Sequence, residues 1–193
     1  MKTREKIALF LLVLFVFSAL NVTAQGFEVN VEQSKIEWIG KKIGGQHNGT
    51  INLQSGSLIM EGYRLAGGEF VIDMNTIVCE DLTNESLNNK LVDHLKSDDF
   101  FGVEIFPVSQ LALVSTQPLV DGTTKIKGNL TIKGITHPIE FDAFRTEVGY
   151  RAEIIVDRSR YNVRYGSKSF FSNIGDNAID DEFIIKVNLV QQK

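Results

Sequence analysis

From Ser34 onward, apolar and polar residues trade places with a period of two, broken once by a helical stretch, and this alternation limits the possible folds more than any other feature. Successive side chains of a strand point to opposite faces, so strict alternation makes a sheet with one greasy and one wet side. In SKIEWIG, Ile36 and Trp38 share one face, Lys35 and Glu37 the other. The pattern resumes in Ile51 and Leu53, in Leu58 and Met60, and in Phe70, Ile72 and Met74. It returns in Leu111 and Leu113, in Leu130 and Ile132, in Ile139, Phe141 and Ala143, in Ala152, Ile154 and Val156, and in Phe183, Ile185, Val187 and Leu189. Turn signals fall between these runs: the Gly44, Gly45 and Gly49 cluster, Ser55-Gly56, Glu61-Gly62, Gly67-Gly68, Val120 to Thr123, and a turn bracketed by Gly134 and Pro138. About eight or more short strands with such punctuation are the signature of an antiparallel sandwich or barrel. A sheet with one greasy face must bury it on itself, and closing into a barrel also removes exposed edges. The expected fold class is therefore all-β, an antiparallel eight-stranded barrel, whose interior holds either packed side chains or one small ligand.

The exception is Asp81 to Pro107, DLTNESLNNKLVDHLKSDDFFGVEIFP. Leu87, Leu91 and Leu95 recur every fourth residue with Val92 beside them, which predicts a short amphipathic helix. Thr83 or Asn84 can cap its first turn. Ser97, Asp98 and Asp99 break the pattern, and Phe100, Phe101 and Phe106 follow. One helix running into an aromatic corner, with no second helical block, reads as a lid over one end of a barrel with an apolar interior.

Residues 1–24 read as a signal peptide: a basic start at Lys2, Arg4 and Lys6, an apolar run from Ile7 to Leu20, and small residues at Val22, Thr23 and Ala24. The run is short for a membrane span. Residues 25–193 are then a single domain, expected to be periplasmic or secreted, with no membrane span in the mature chain. The formal net charge of −4 becomes more negative once the basic leader is gone, and no basic run remains to attract nucleic acid. Cys79 is the only cysteine, so no intrachain disulfide forms, and in MNTIVCE it reads as a small buried hydrophobe.

Candidate chemistry is sparse. None of the three histidines, His47, His94 and His137, has a metal-ligand spacing to another ligand, so no metal is expected. There is no G-x-S-x-G elbow, and no histidine lies near Cys79 in sequence. Catalytic residues are therefore not assigned, and the chain is read as a non-enzyme. Asp157 to Asp176, DRSRYNVRYGSKSFFSNIGD, is richer in charge and phenols. Its arginines either grip an anionic head group or, paired with Asp157, order a long loop.

Three stretches together, DHLKSDDFFGVEIFP, GNLTIKGITHPIEF and DRSRYNV through IGD, resemble the YceI-like family of exported, polyisoprenoid-binding proteins. The resemblance covers essentially all of residues 25–193. It implies a lipocalin-like barrel around a long isoprenoid chain, and no catalysis. His94, Leu95, Lys96, Ser97, Phe100 and Phe101 match the first motif, Leu130 to Pro138 the second, and Asp157, Arg158, Ser159 and Tyr161 the third. Asn162 replaces a usual glycine, Gly102 a common acidic residue and His137 a basic one. Trp38 and the glycine-rich turn with His47 resemble one branch of the family.

The expected ligand is a polyisoprenoid lipid or isoprenoid quinone, held without a further cofactor; nucleic acid is not an expected partner, and a homodimer is left open. The expected apolar walls are Trp38, Phe70, Ile72, Met74, Leu130, Ile132, Phe141, Ile154 and Phe183, closed by Leu91, Phe100, Phe101 and Phe106. His47, His94, Arg158, Tyr161 and Tyr165 form the expected polar rim. Two rivals stand beside this reading: an enzyme acting on a prenyl compound with Arg158, Tyr161 and His94 as acid–base groups, and a barrel filled by its own phenylalanines that binds a protein partner.

Overall fold

The computed structural model describes residues 24–171, 175 and 178–192. The expected leader therefore lies, but for Ala24, outside the described residues. Strands β1 (Ala24–Glu28), β2 (Lys35–Lys42), β3 (Gly45–Glu61) and β4 (Arg64–Cys79) precede helix α1 (Glu85–Lys96), and β5 (Val108–Thr116), β6 (Thr123–Ile132), β7 (Ile135–Arg145), β8 (Gly149–Asp157) and β9 (Ile179–Val190) follow it. Neighbouring strands pair antiparallel in the order β3-β2-β9-β8-β7-β6-β5-β4, and β4 pairs back onto β3 to close the ring. β1 pairs with the second half of β3, from Ala24↔Glu61 to Glu28↔Ser57, while β2 pairs with the first half, so β1 and β2 act as one broken stave. The result is a closed eight-stave barrel with one helix.

Alternation places the core as the sequence implies: Ile36, Trp38, Ile51, Leu53, Leu58, Phe70, Met74, Ile126, Leu130, Ile132, Ile154, Val156 and Leu189 are all buried. Two expected turns are instead strand interior, because β3 runs through Ser55-Gly56 and β4 through Gly67-Gly68. These glycines make room for close approach. A Cβ on Gly68 would lie 2.6 Å from Ser57 O, and one on Gly56 2.9 Å from Phe70 Cδ1. The β6–β7 connection is the tight turn Lys133-Gly134, and Pro138 sits inside β7 opposite Asn129. Proline is tolerated there because, among the described residues, β7 has no strand partner on its other side at that height. The β7–β8 ladder is confined to Ala143↔Ala152, Phe144↔Arg151 and Arg145↔Tyr150.

Asn84 caps α1, its side-chain oxygen accepting from Leu87 N–H at 3.0 Å. The expected Leu87–Leu91–Leu95 stripe is only partly used. Leu95 is buried, Leu91 and Val92 pack partly against the core, and Leu87 is exposed.

A cavity inside the barrel

Strand direction sorts the barrel into two ends. The starts of β3, β5, β7 and β9 and the ends of β2, β4, β6 and β8 meet at one of them, and α1, which joins β4 to β5, lies there too. Inside is a cavity of about 250 Å³. Its walls are almost wholly apolar, built from the inward faces of β2 to β9 and completed at the α1 end by Leu91, Leu95, Phe100 and Phe101.

Of the expected wall, Trp38, Phe70, Ile72, Met74, Leu91, Phe100, Phe101, Leu130, Ile132, Phe141, Ile154 and Phe183 line this space. Phe106 does not. It lies outside, over the Lys133-Gly134 turn, where a Cβ on Gly134 would come within 3.2 Å of its ring. The chain has already turned away at Gly102, whose φ of +57° ends the lid segment. The wall also includes Leu58, Ala143 and Leu189, which alternation puts on apolar faces but which are not among the expected pocket residues, and Leu65 and Ile126, deeper along the same faces.

Polar groups in the wall gather at the α1 end: Lys41, Lys42, His47, His94, Arg158 and Asp180, with Ser109 nearby, whose hydroxyl meets Met74 Sδ at 3.1 Å. Lys41, Lys42 and Asp180 were not anticipated, since lone charges at strand ends carry no sequence signal. Tyr150 and Arg151 are the polar wall residues toward the other end. The Tyr150 hydroxyl is buried without a partner among the described residues, and burial pushes its pKa up.

The expected polar rim divides. His47 and His94 line the cavity at the α1 end. Arg158 reaches the wall, but three of its five N–H donors are engaged: Nε to Asp180 O at 3.0 Å, one terminal nitrogen to Val163 O at 2.9 Å, the other to Ile179 O at 3.1 Å. Burial pulls its pKa down, against the opposing pull of Asp181, which stands 3.6 Å away. Of its two sequence readings, loop ordering describes these contacts. The partner is Asp181, however; Asp157 instead caps the turn Arg158–Tyr161 by accepting from Ser159 N–H at 2.9 Å. Tyr161 is buried beside His137, ring centroids 5.3 Å apart, and does not line the cavity. Tyr165 is half-exposed outside the wall, edge-on to His94 at 4.3 Å. Asn162 takes the left-handed conformation that a glycine would adopt, with φ 59°.

The three sequence motifs meet around Phe100. Lys133, in the second, donates to Asp98 O at 3.0 Å and to Phe100 O at 2.7 Å, and burial lowers its pKa. Arg158, in the third, lies over the Phe100 ring at 5.4 Å. His94 and Phe101 stand edge-on to the same ring at 5.7 and 5.4 Å.

Strand pairing also gathers groups that are distant in sequence. The pair Gly49↔Cys79 brings β3 and β4 together at the α1 end, and there His47 Nδ1 lies 2.8 Å from Asp81 Oδ2. Cys79 Sγ donates to Asp81 Oδ1 at 3.2 Å, and Asn48 N–H donates to the same oxygen at 2.8 Å. Burial alone would raise the Asp81 pKa, but hydrogen bonds from Asn48, His47 and Cys79 outweigh it and hold the carboxyl below its usual range. Burial pushes the Cys79 thiol up.

Comparison with known proteins follows the same outline. Residues 27–191 match the YceI-like domain. A UPF0312 protein of Pectobacterium atrosepticum is 30% identical over 132 residues, which is 58% of this chain and 64% of that protein, so the chain spans under two thirds of its relative's length. BcnA of Burkholderia cenocepacia has a similar structure, with a TM-score of 0.67 and 20% identity over 85% of this chain and 99% of that one. A polyisoprenoid binding domain from Saccharophagus degradans, described as implicated in plant cell wall breakdown, gives a TM-score of 0.58 at 12% identity over 86% and 97%. At these identities the structural likeness is one of fold.

Proposed function

The chain belongs to the YceI-like family, and from that premise we propose that it is an exported lipid-binding protein that holds a long-chain polyisoprenoid, of the quinone or prenyl phosphate type, inside the barrel for carriage or storage. The observation that carries this reading is the cavity: an apolar tube whose polar wall groups concentrate at one end. Each methylene moved from water into such a wall is worth about 0.8 kcal/mol, so a tail supplies its own affinity with little need for polar contacts. Lys41, Lys42, His47 and His94 are placed to meet a polar head group at the α1 end. A polyisoprenoid-binding domain among the proteins of similar fold supports the same ligand class. The leader-like residues 1–24 support export to the periplasm or beyond.

The rival enzyme draws little support from the geometry, because Arg158 is bound to three carbonyls and Tyr161 lies outside the cavity wall. The ligand-free module requires a filled interior, and this one is hollow.

The test is uptake of a fluorescent prenyl probe by the native chain and by Ile132→Asp, a buried wall residue. The native chain should bind one probe. The variant should lose binding by about a hundredfold or more, since a carboxylate placed in an apolar wall must be desolvated. Equal binding by both, in folded protein, would contradict the pocket assignment.

A further inference from the structure

At the α1 end, three side chains from separate places in the sequence present three different donors. His47 on β3, Cys79 at the end of β4 and Asp81 just beyond it each offer one donor atom, and these atoms all lie within 4.8 Å of one another. Around a tetrahedral zinc ion, bonds of about 2.0–2.3 Å place neighbouring donors roughly 3.3–3.6 Å apart, so small side-chain rotations would close this trio on an ion. We propose that His47, Cys79 and Asp81 form a binding site for a borderline divalent transition-metal ion, zinc foremost, with a fourth coordination position left for water or an exogenous ligand.

The donor chemistry sets the class of ion. Thiolate with imidazole favours zinc and its neighbours over magnesium and calcium, which take oxygen donors. On binding, the thiol gives its proton to solvent and the imidazole ligates in its neutral form. The frame around the trio is already fixed. Asn88 Nδ2 donates to Cys79 O and Leu82 O, both at 2.9 Å, and Trp38 Nε1 donates to Val78 O at 3.0 Å. Asn48 N–H engages Asp81 Oδ1, which leaves Oδ2 facing His47. Such supporting hydrogen bonds orient ligands before the metal arrives. No catalytic step is required of the ion, and the site does not depend on the lipid reading. A purely structural cluster, in which Asp81 only fastens the two strand ends, is the competing account.

The deciding experiment titrates untagged protein with Co²⁺ as a spectroscopic stand-in and Zn²⁺ as competitor. One Co²⁺ per chain should bind with thiolate-to-cobalt charge-transfer absorption, and one equivalent of Zn²⁺ should displace it. Cys79→Ser should abolish that band, and His47→Gln and Asp81→Asn should each weaken binding at least tenfold. Asp93→Asn, on the exposed side of α1, should titrate like the native chain. Cys79 is buried and its replacement could unfold the end of β4, so the His47 and Asp81 variants, checked by circular dichroism, decide the matter in that event. No binding at micromolar metal, binding without the charge-transfer band, or equal affinity in the His47 and Asp81 variants would overturn the proposal.

Discussion

The two ends of the barrel are made in different ways. At the far end, Leu58, Leu65, Ile126 and Leu189 are buried on paired strands, each placed by simple alternation. At the α1 end, closure depends on segments far apart in sequence: the helix and its aromatic corner, the Lys133-Gly134 turn, and the loop that begins at Arg158. The β2–β3, β6–β7 and β8–β9 ladders also reach this end, but the segments that cap it are fastened by single hydrogen bonds and ring edges. An end built from packed strands is hard to open, because its interactions are mutually supporting. An end assembled from three loops can be loosened one contact at a time. Most polar wall groups and the converging motifs belong to this second end, Tyr150 and Arg151 being the exceptions, and the lipid reading proposed above assigns head-group contact to it.

That contrast can be tested by substitution. The largest effect on stability is expected at the far end: Met60→Ala, a buried residue outside the cavity wall, should cost about 2–5 kcal/mol in denaturant unfolding, from lost burial and an added cavity. It should leave the rate of ligand release within about twofold. Leu91→Ala, half-buried on α1, should do the reverse, costing under about 1 kcal/mol while speeding release about tenfold. If the two variants behaved alike, the division between a structural end and an adjustable end would fail. Arg158→Met should cost about 3 kcal/mol, because three backbone carbonyls and Asp181 lose their partner, and urea unfolding would measure it. Lys133→Met, which keeps the side-chain bulk but drops two bonds to the lid segment, should cost about 1–2 kcal/mol and raise hydrogen exchange around Phe100 and Phe101.

The smallest effect is on acid stability. Burial would raise the Asp181 pKa, but hydrogen bonds from Ser167 and Ser169 and the charge of Arg158 hold it below the usual carboxylate range. Asp81 is shifted the same way. A carboxylate depressed in the folded state contributes stability that is complete above its unfolded pKa of about 4, and that contribution is lost as pH falls through the folded value. Melting temperature should therefore fall below about pH 4, and Asp181→Asn should flatten that fall. An unchanged slope would remove Asp181 from the loop's fastening.

The ease of reading each end from sequence follows from how it is built. Alternation placed Phe70, Leu130, Ile154 and Phe183 in the cavity wall, because period two is a local property that needs no knowledge of the fold. Glycine misled where it serves a close approach inside a strand, at Gly56 and Gly68, since its composition signal is the same as in a turn. Phe106 and Tyr161 were misplaced because loop direction depends on single dihedral choices, such as the left-handed Gly102 and Asn162. The neighbours of Cys79 were invisible for another reason: His47 reaches it only through the β3–β4 ladder, 32 positions away in sequence. Period predicts faces, and only register predicts which faces meet.

Native mass spectrometry of gently purified protein, followed by solvent extraction and identification of whatever is released, tests the central claim most directly. The expected result is a single mass increment on the chain that extraction removes and identifies as a prenyl lipid. A clean unliganded mass, unchanged after incubation with isoprenoid quinones and prenyl phosphates, would contradict the account.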